Sequence, residues 1–361
     1  MSPHLWLALT PHGYGHAAMT APLVAELRRR HPGLRLTIQT ALPQAFLAGR
    51  YGSDFDLVEG IPDFGMVMTS AVGVDVPASA AAYAGLVARW PRLVAGEAER
   101  LARARPDLML ANVPPLSLAA AAVAGIPAVA FSCLNWYDLY RHYCSDQPEA
   151  PEVLAHLGAA YGAARLFLRC APAMDMTLPN CRDIGPVAAR GRRRGCDLRT
   201  KLRVVDETNI GLLAFGGIDY HLDLTRWPTV PGWVWVCALA EPPPTRPDMV
   251  TPQEAGISFA DLIPSVDLVV TKPGYGTYTE AALSGVAVLS VPRPGWPESE
   301  ALNAWIAAHA RWREVPPERL LSPALPAVLD ELFARRPPPP VEPFGVAQAA
   351  DAIDQVLAGA A

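Results

Sequence analysis

Asp267-Leu-Val-Val-Thr-Lys-Pro-Gly-Tyr-Gly-Thr-Tyr-Thr-Glu280 is the stretch on which the reading of the fold turns. It opens with the apolar, β-branched run Val266 to Thr271, which reads as a buried strand. Pro273-Gly-Tyr-Gly-Thr277 then makes a turn, Tyr278 to Ser284 reads as a helix, and Gly285 ends it. Ala287 to Val291 is the next strand. Strand, Gly-bearing turn, helix, strand is the βαβ unit of a parallel sheet.

The same cycle recurs on either side. Upstream, Ile210 to Phe215 reads as a strand ending in Gly216-Gly217, and Trp233 to Cys237 reads as another. The chain opens with the apolar run Leu5 to Leu9, the turn His12-Gly-Tyr-Gly-His16, a helical segment from Ala17 to Arg30 and a strand from Leu34 to Gln39. Leu86 to Ala104 reads as helical with a kink or restart at Pro91, and Pro106 to Ala111 as a strand. Leu116 to Ala124 is a predicted helix, Ala128 to Ser132 a strand buried on both faces, and Val153 to Leu168 a helix. Arg190 to Gly195, basic and Gly-bearing, is the best linker, and the pattern restarts at Asn209. Val346 to Leu357 is a final amphipathic helix whose apolar stripe needs a surface to cover.

These patterns predict two Rossmann-like α/β domains, at 1–188 and 207–340, with a linker at 189–206. A chain of 361 residues suits two domains, and 51% apolar content excludes a disordered one. The net charge of −5 and the lack of a basic stripe argue against nucleic acid. The Ala-rich stretches are broken well short of the roughly twenty residues of a membrane span, which leaves only peripheral membrane contact open. The six cysteines, Cys133, Cys144, Cys170, Cys181, Cys196 and Cys237, show no zinc-type spacing and read as reduced thiols of a cytoplasmic protein.

In an open α/β sheet, ligands bind beyond the carboxyl ends of the strands, and a helix start offers unpaired N–H groups to phosphate. Gly274 and Gly276 allow close backbone approach, and Thr277 and Thr279 offer hydroxyls. Lys272, one of two lysines in an Arg-biased chain, offers a point charge to a phosphate. Glu280, one turn inside the helix, suits a ribose diol. The plain alternative is a tight turn with Glu280 merely favouring the helix start.

Beyond the next strand lies Pro292-Arg-Pro-Gly-Trp-Pro-Glu298-Ser-Glu300-Ala-Leu-Asn303-Ala304. Together with the Gly-x-x-Thr-x-x-Glu-Ala block it resembles the donor half of GT-B glycosyltransferases related to the peptidoglycan N-acetylglucosaminyltransferase. Lys272-Pro-Gly-Tyr-Gly-Thr-Tyr-Thr-Glu-Ala281, Ala214-Phe-Gly-Gly217 and Asn135-Trp-Tyr-Asp-Leu-Tyr140 more closely resemble the glycosyltransferase-like domain of arabinokinases and its stand-alone bacterial relatives. The resemblance covers most of the chain in order. It implies the GT-B fold, two parallel-sheet domains facing across a cleft, with the segment 341–361 crossing back onto the first.

For the site, the resemblance implies that Glu280 holds the ribose and that Glu298 and Glu300 contact the sugar, with Asn303 beside them. Gly216 and Gly217 face the pyrophosphate, and Lys272, Gly274, Tyr275, Gly276 and Thr277 complete the donor loop. Where the family often has an amide, this chain has Glu300. The His12-Gly13-Tyr-Gly15-His16 turn resembles the Gly-His element that faces the acceptor. A helix start disfavours imidazolium, so His16 is either a neutral base or a plain acceptor contact or cap. Asn135 and Trp136 either bind acceptor or cover the sheet edge, and Asp138 either orients His16 or caps a helix. His12 and His16 have no evident third ligand, so no metal is assigned, and no cofactor is expected.

The expected function is transfer of a sugar from a UDP- or dTDP-type nucleotide-sugar to the hydroxyl of a small molecule or glycan. The alternatives are a catalytically silent nucleotide-sugar-binding module and a nucleotide-sugar epimerase. The epimerases of this scaffold usually carry an Asp-Ser-Gly-Gly-type loop that this chain lacks.

Overall fold

A computed structural model describes residues 2–60 and 63–359. Met1 and 360–361, the ends of the first and last expected segments, lie outside the described residues. The chain divides into two compact units: Met1–Thr69, Val74–Val187 and Phe344–Ala361 form one, and Ser70–Gly73 with Ala188–Pro343 form the other.

The first unit runs β1 (His4–Leu9), α1 (Gly15–Arg30), β2 (Arg35–Thr40), α2 (Gln44–Tyr51) and β3 (Asp56–Glu59). A two-stranded ribbon, β4 (Met68–Ser70) and β5 (Gly73–Val74), precedes α3 (Val76–Val87) and α4 (Trp90–Ala104). Then come β6 (Leu108–Asn112), α5 (Pro115–Ala124), β7 (Ala128–Ser132), α6 (Trp136–Cys144), α7 (Ala150–Gly162), β8 (Leu166–Cys170) and β9 (Cys181–Ile184). The sheet order is β3-β2-β1-β6-β7-β8-β9, with parallel pairing on both sides of β1. Every residue of β1, β6 and β7 is buried, as continuous apolar runs require when helices cover both faces.

One sequence expectation needs correction here. The helix expected through Leu168 ends at Gly162, and Leu166–Cys170 is strand β8. Arg165 donates its N–H to Ala128 at 2.9 Å, so the apolar segment after it joins the sheet beside β7. Of the kink or restart expected at Pro91, the structure has the restart: Leu86 to Ala104 spans the end of α3 and all of α4, with Pro91 in the first turn of α4.

The second unit begins with α8 (Gly195–Leu202), inside the stretch expected as a linker. It continues with β10 (Asn209–Leu213), β11 (Trp233–Cys237), β12 (Met249–Val250), α9 (Pro252–Ala255) and α10 (Phe259–Leu262). β13 (Leu268–Thr271), α11 (Tyr275–Ser284), β14 (Ala287–Ser290), α12 (Glu298–His309), β15 (Trp312–Glu314), α13 (Pro317–Leu320) and α14 (Leu325–Phe333) complete it. Its parallel sheet has the order β12-β11-β10-β13-β14-β15. Between neighbouring strands, Gly211 leaves room for the indole of Trp235: a Cβ there would come within 2.3 Å of the ring.

The last helix, α15 (Gly345–Leu357), belongs to the first unit and packs on α1. It buries Ala349, Ala350, Ile353 and Val356. Arg30 reaches Asp351 at 2.7 Å and Asp354 at 2.9 Å, and His31 reaches Asp354 at 2.7 Å.

In both sheets the chain reverses its direction of travel once. The reversal lies between β1 and β6 in the first and between β10 and β13 in the second. Adjacent helices leave these strands toward opposite faces, which opens a crevice beyond the carboxyl ends where ligands of open α/β sheets bind. These two strand-end pairs are where the candidate residues lie.

Candidate functional site

In the second unit, β10 leads to Phe215-Gly216-Gly217, where Gly216 has φ +85, a backbone region that favours glycine. Both Gly216 and Gly217 are exposed. Beside it, β13 leads through Lys272 and Pro273 to Gly274, the N-cap of α11. The helix starts at Tyr275, earlier than the sequence predicts, so Tyr275, Gly276 and Thr277 form its first turn. No acidic side chain occupies that turn, and Gly274 offers no side chain to cap it. The positive end of the helix dipole therefore meets the crevice without a carboxylate of the first turn to offset it.

Lys272 is half-buried, and its ammonium curls back over this helix start. A Cβ on Gly274 would sit 3.7 Å from its Nζ. Burial, with the charge of Arg293 and against the opposing charge of Glu298, lowers the lysine pKa to about 7. Arg293, beyond β14, is 6% exposed, and its guanidinium lies 3.7 Å from the centre of the Trp296 ring. Trp296 Nε1 donates to Glu298 at 3.1 Å. Glu280 is 7% exposed, one turn into α11.

Several expected donor residues stand differently. Glu298 is buried beneath Trp296, while Glu300 is exposed on the first turn of α12. Asn303 is committed within the unit: its Oδ1 accepts from Tyr278 at 3.1 Å and its Nδ2 donates to Glu314 at 2.8 Å. Thr279 donates back to the Tyr275 carbonyl at 2.9 Å, so its hydroxyl serves the helix. Thr277 is half-buried in the first turn.

In the first unit, β1 leads through Thr10 and the turn with Gly13 and Gly15 to His16, in the first turn of α1. His16 is 7% exposed, and its Nδ1 lies 2.5 Å from Oδ1 of Asn112, the last residue of β6. Asn112 Nδ2 donates to the Phe131 carbonyl at 2.5 Å, which turns its oxygen toward the histidine. An amide oxygen only accepts, so the proton sits on Nδ1 and Nε2 carries the lone pair of the ring.

Trp136 is the wall of this half-site. It is fully buried, with ring centres 5.3 Å from His12 and 5.9 Å from His16. Its indole packs against both imidazoles. Asn135 is likewise a helix cap, accepting from the Asp138 N–H at 2.8 Å and donating to its Oδ2 at 2.8 Å. Asp138 is tied to Thr177 at 2.7 Å and Arg141 at 3.0 Å, and the atom that orients His16 belongs to Asn112.

Asp63 completes the half-site. Burial pushes its carboxyl up to about 6, Thr10 donates to it through its hydroxyl, and the Gly65 N–H lies 3.3 Å away. Neither Asp63 nor Asn112 stands out in the sequence. The only signal for Asn112 is a polar residue closing an apolar strand, and Asp63 follows Ile61-Pro62 in sequence with no motif around it. Among the described residues, no group of three or more His, Cys, Asp or Glu side chains is arranged to hold a metal ion. No described helix is long and apolar enough to cross a membrane.

The chain is similar over nearly all its length to solved glycosyltransferases. The calicheamicin glycosyltransferase CalG4 superposes with a TM-score of 0.60 at 16% identity, covering 99% of this chain and 98% of that one. Arabidopsis thaliana UGT89C1, solved with UDP, gives 0.55 at 13%, covering 98% and 99%. A putative UDP-N-acetylglucosamine 2-epimerase from Listeria monocytogenes gives 0.57 at 14%, covering 99% and 98%. The fold is therefore GT-B: two α/β units, each built on a parallel sheet. In sequence, the chain is 26% identical over 312 residues to the L-arabinokinase of Arabidopsis thaliana. That match takes in 84% of this chain and 30% of the relative, so the chain spans about a third of that protein's length. No family model matches.

Proposed function

We propose that this chain is a glycosyltransferase that moves a sugar from a UDP- or dTDP-type nucleotide-sugar to an acceptor hydroxyl. The observation that carries the reading is the carboxyl edge of β10 and β13, where Lys272, an uncapped helix start and the buried Glu280 follow one another in the turn and helix after β13. The likeness to CalG4 and to the UDP-bound UGT89C1 supports it.

In this reading Glu280 accepts hydrogen bonds from the ribose hydroxyls, while the N–H groups of Tyr275, Gly276 and Thr277 with Gly216 and Gly217 meet the diphosphate. Glu300, exposed, reaches the sugar hydroxyls, and Glu298 holds Trp296. The acceptor oxygen attacks the anomeric carbon and its proton passes to Nε2 of His16. The bond from that carbon to the diphosphate breaks, and the electron pair leaves on a phosphate oxygen. Lys272 and the helix start stabilise that charge, so cations of the protein serve where other enzymes use a metal ion. His12 borders the acceptor side. None of the six cysteines is in a disulfide, which fits a reducing compartment, and we place the chain in the cytoplasm.

The test is incubation of the pure protein with UDP- and dTDP-sugars, with and without acceptor hydroxyl compounds, reading released nucleoside diphosphate and the recovered sugar. Release or transfer supports the proposal. Binding without turnover supports a silent binding module, and a recovered nucleotide-sugar inverted at one carbon supports an epimerase.

A further inference from the structure

The glycine turn after β10 is closed at its base by a pair of rings. Phe215 and Tyr220, on either side of the span Gly216–Asp219, stack with centres 4.2 Å apart and planes 2° from parallel. Phe215 is buried in the core of the second unit, and the half-buried Tyr220 packs against that core. Between the rings the chain is open to solvent at Gly216, Gly217 and Asp219, and a Cβ on Gly216 would meet nothing within 4 Å. The turn thus combines a fixed base with an unobstructed backbone.

A second brace comes from a distant part of the sequence. Ala71 lies in the two-residue turn between β4 and β5. It is fully buried and donates its N–H to the Asp219 carbonyl at 3.0 Å. Ser70–Gly73 belong to the second unit, as does the glycine turn that Ala71 holds.

Adjacent glycines are the costliest residues to keep in one conformation. A turn that merely joined β10 to the next segment needs no such hold, because solvent satisfies its backbone and its motion costs the fold little. Backbone N–H groups that receive an anion do need it: they bind well only if they are already aimed before the ligand arrives. We propose that Tyr220 and Ala71 are positioning residues of the diphosphate seat. Tyr220 through its ring and Ala71 through its N–H hold the Gly216-Gly217 backbone in the shape that receives the diphosphate, and neither touches the ligand. This rests on the nucleotide reading above.

The test is calorimetry of the full chain with UDP and dTDP and, in parallel, uridine and thymidine, which keep base and sugar but lack phosphate. Tyr220→Ala removes the ring and should weaken nucleotide binding about tenfold, with nucleoside binding unchanged within twofold. Tyr220→Phe keeps the stack and should bind all four as wild type does. Ala71→Pro removes the N–H at a position that follows the extended Ser70 and has no positive φ, and should likewise weaken nucleotides alone. The same brace has a readout in wild type: a nucleotide that settles into the turn should slow hydrogen exchange of the Ala71 amide, and a nucleoside should not.

Equal losses for nucleotide and nucleoside mean that the whole unit has loosened, and they overturn the proposal. Unchanged nucleotide affinity in folded Tyr220→Ala overturns the role of the ring stack and leaves the donor site standing. For Ala71, unchanged affinity in the folded proline variant, or exchange that a nucleotide does not slow, overturns its role in the same way. Failure of wild type to bind either nucleotide removes the donor reading, and this proposal with it.

Discussion

Nδ1 of His16 lies 2.5 Å from Oδ1 of Asn112, across the pair of strand ends where the first sheet reverses direction. The amide is itself pinned by the Phe131 carbonyl, so the histidine is held in one tautomer by a group that carries no charge. A neutral orienter fixes the ring without stabilising the imidazolium that a base becomes after taking a proton.

Replacing Asn112 by Leu should therefore lower turnover about a hundredfold while leaving UDP affinity within twofold. Asn112→Asp should keep the hydrogen bond and move the acidic limb of the pH–rate profile upward, because a carboxylate beside Nδ1 raises the imidazole pKa. Unchanged turnover in Asn112→Leu would remove the pair from the mechanism.

Glu280→Ala should weaken UDP binding about tenfold or more, equivalent to roughly 1.5–3 kcal/mol for charge-assisted hydrogen bonds. Calorimetry with the free nucleotide reads this directly. Equal affinities in two folded proteins would reduce the loop to a turn.

Asp63 gives the first unit a pH-dependent weakness. Its carboxyl titrates near 6 in the fold because it is buried, and near 4 in an unfolded chain. As pH rises from 4 to 6 the unfolded chain gives up this proton first, so it binds fewer protons and the group's contribution to stability falls. The loss amounts to roughly 3 kcal/mol by pH 7. Urea unfolding of wild type and Asp63→Asn at pH 4.5 and 7 should show the wild type losing ground against the variant as pH rises. Parallel stabilities across that range would exclude a buried, titrating Asp63.

Gly211→Ala should destabilise the second unit by about 1–3 kcal/mol, because the added methyl meets the ring of the fully buried Trp235. A shift in thermal midpoint with unchanged activity of the folded fraction is the expected result. Gly211→Ala with Trp235→Leu should recover part of the loss through the removed clash.

How much of this was legible in the sequence follows from what each element depends on. Parallel strands such as β1, β10 and β13 are apolar runs bounded by glycine turns, and their pattern is local, so the α/β class could be read directly. Leu166–Cys170 was misread because an apolar run beside a helix has no local mark separating strand from helix; pairing with β7 decides it. The donor loop was visible because its glycines, Lys272 and Glu280 are contiguous. Asn112 was not, since it meets His16 across 96 positions of sequence and only the adjacency of β1 and β6 joins them. Asn303, Asn135 and Thr279 have side chains suited to a ligand, yet nearby partners in the fold take their hydrogen bonds.

Helix α15 has a consequence for how the molecule comes into being. The first unit is written in separated stretches of chain, and its closing piece follows the whole second unit. On the ribosome, therefore, α1 emerges long before the helix whose Ala349, Ile353 and Val356 will shield it. For the time needed to translate the intervening 156 residues from Ala188 to Pro343, the nascent chain carries an uncovered apolar stripe. The inserted unit is contiguous from Ala188 onward apart from a four-residue strip, Ser70–Gly73, already made, so it has nothing left to wait for. Assembly is thus expected to run inside out: the later-encoded unit finishes first, and the one begun earliest is sealed last.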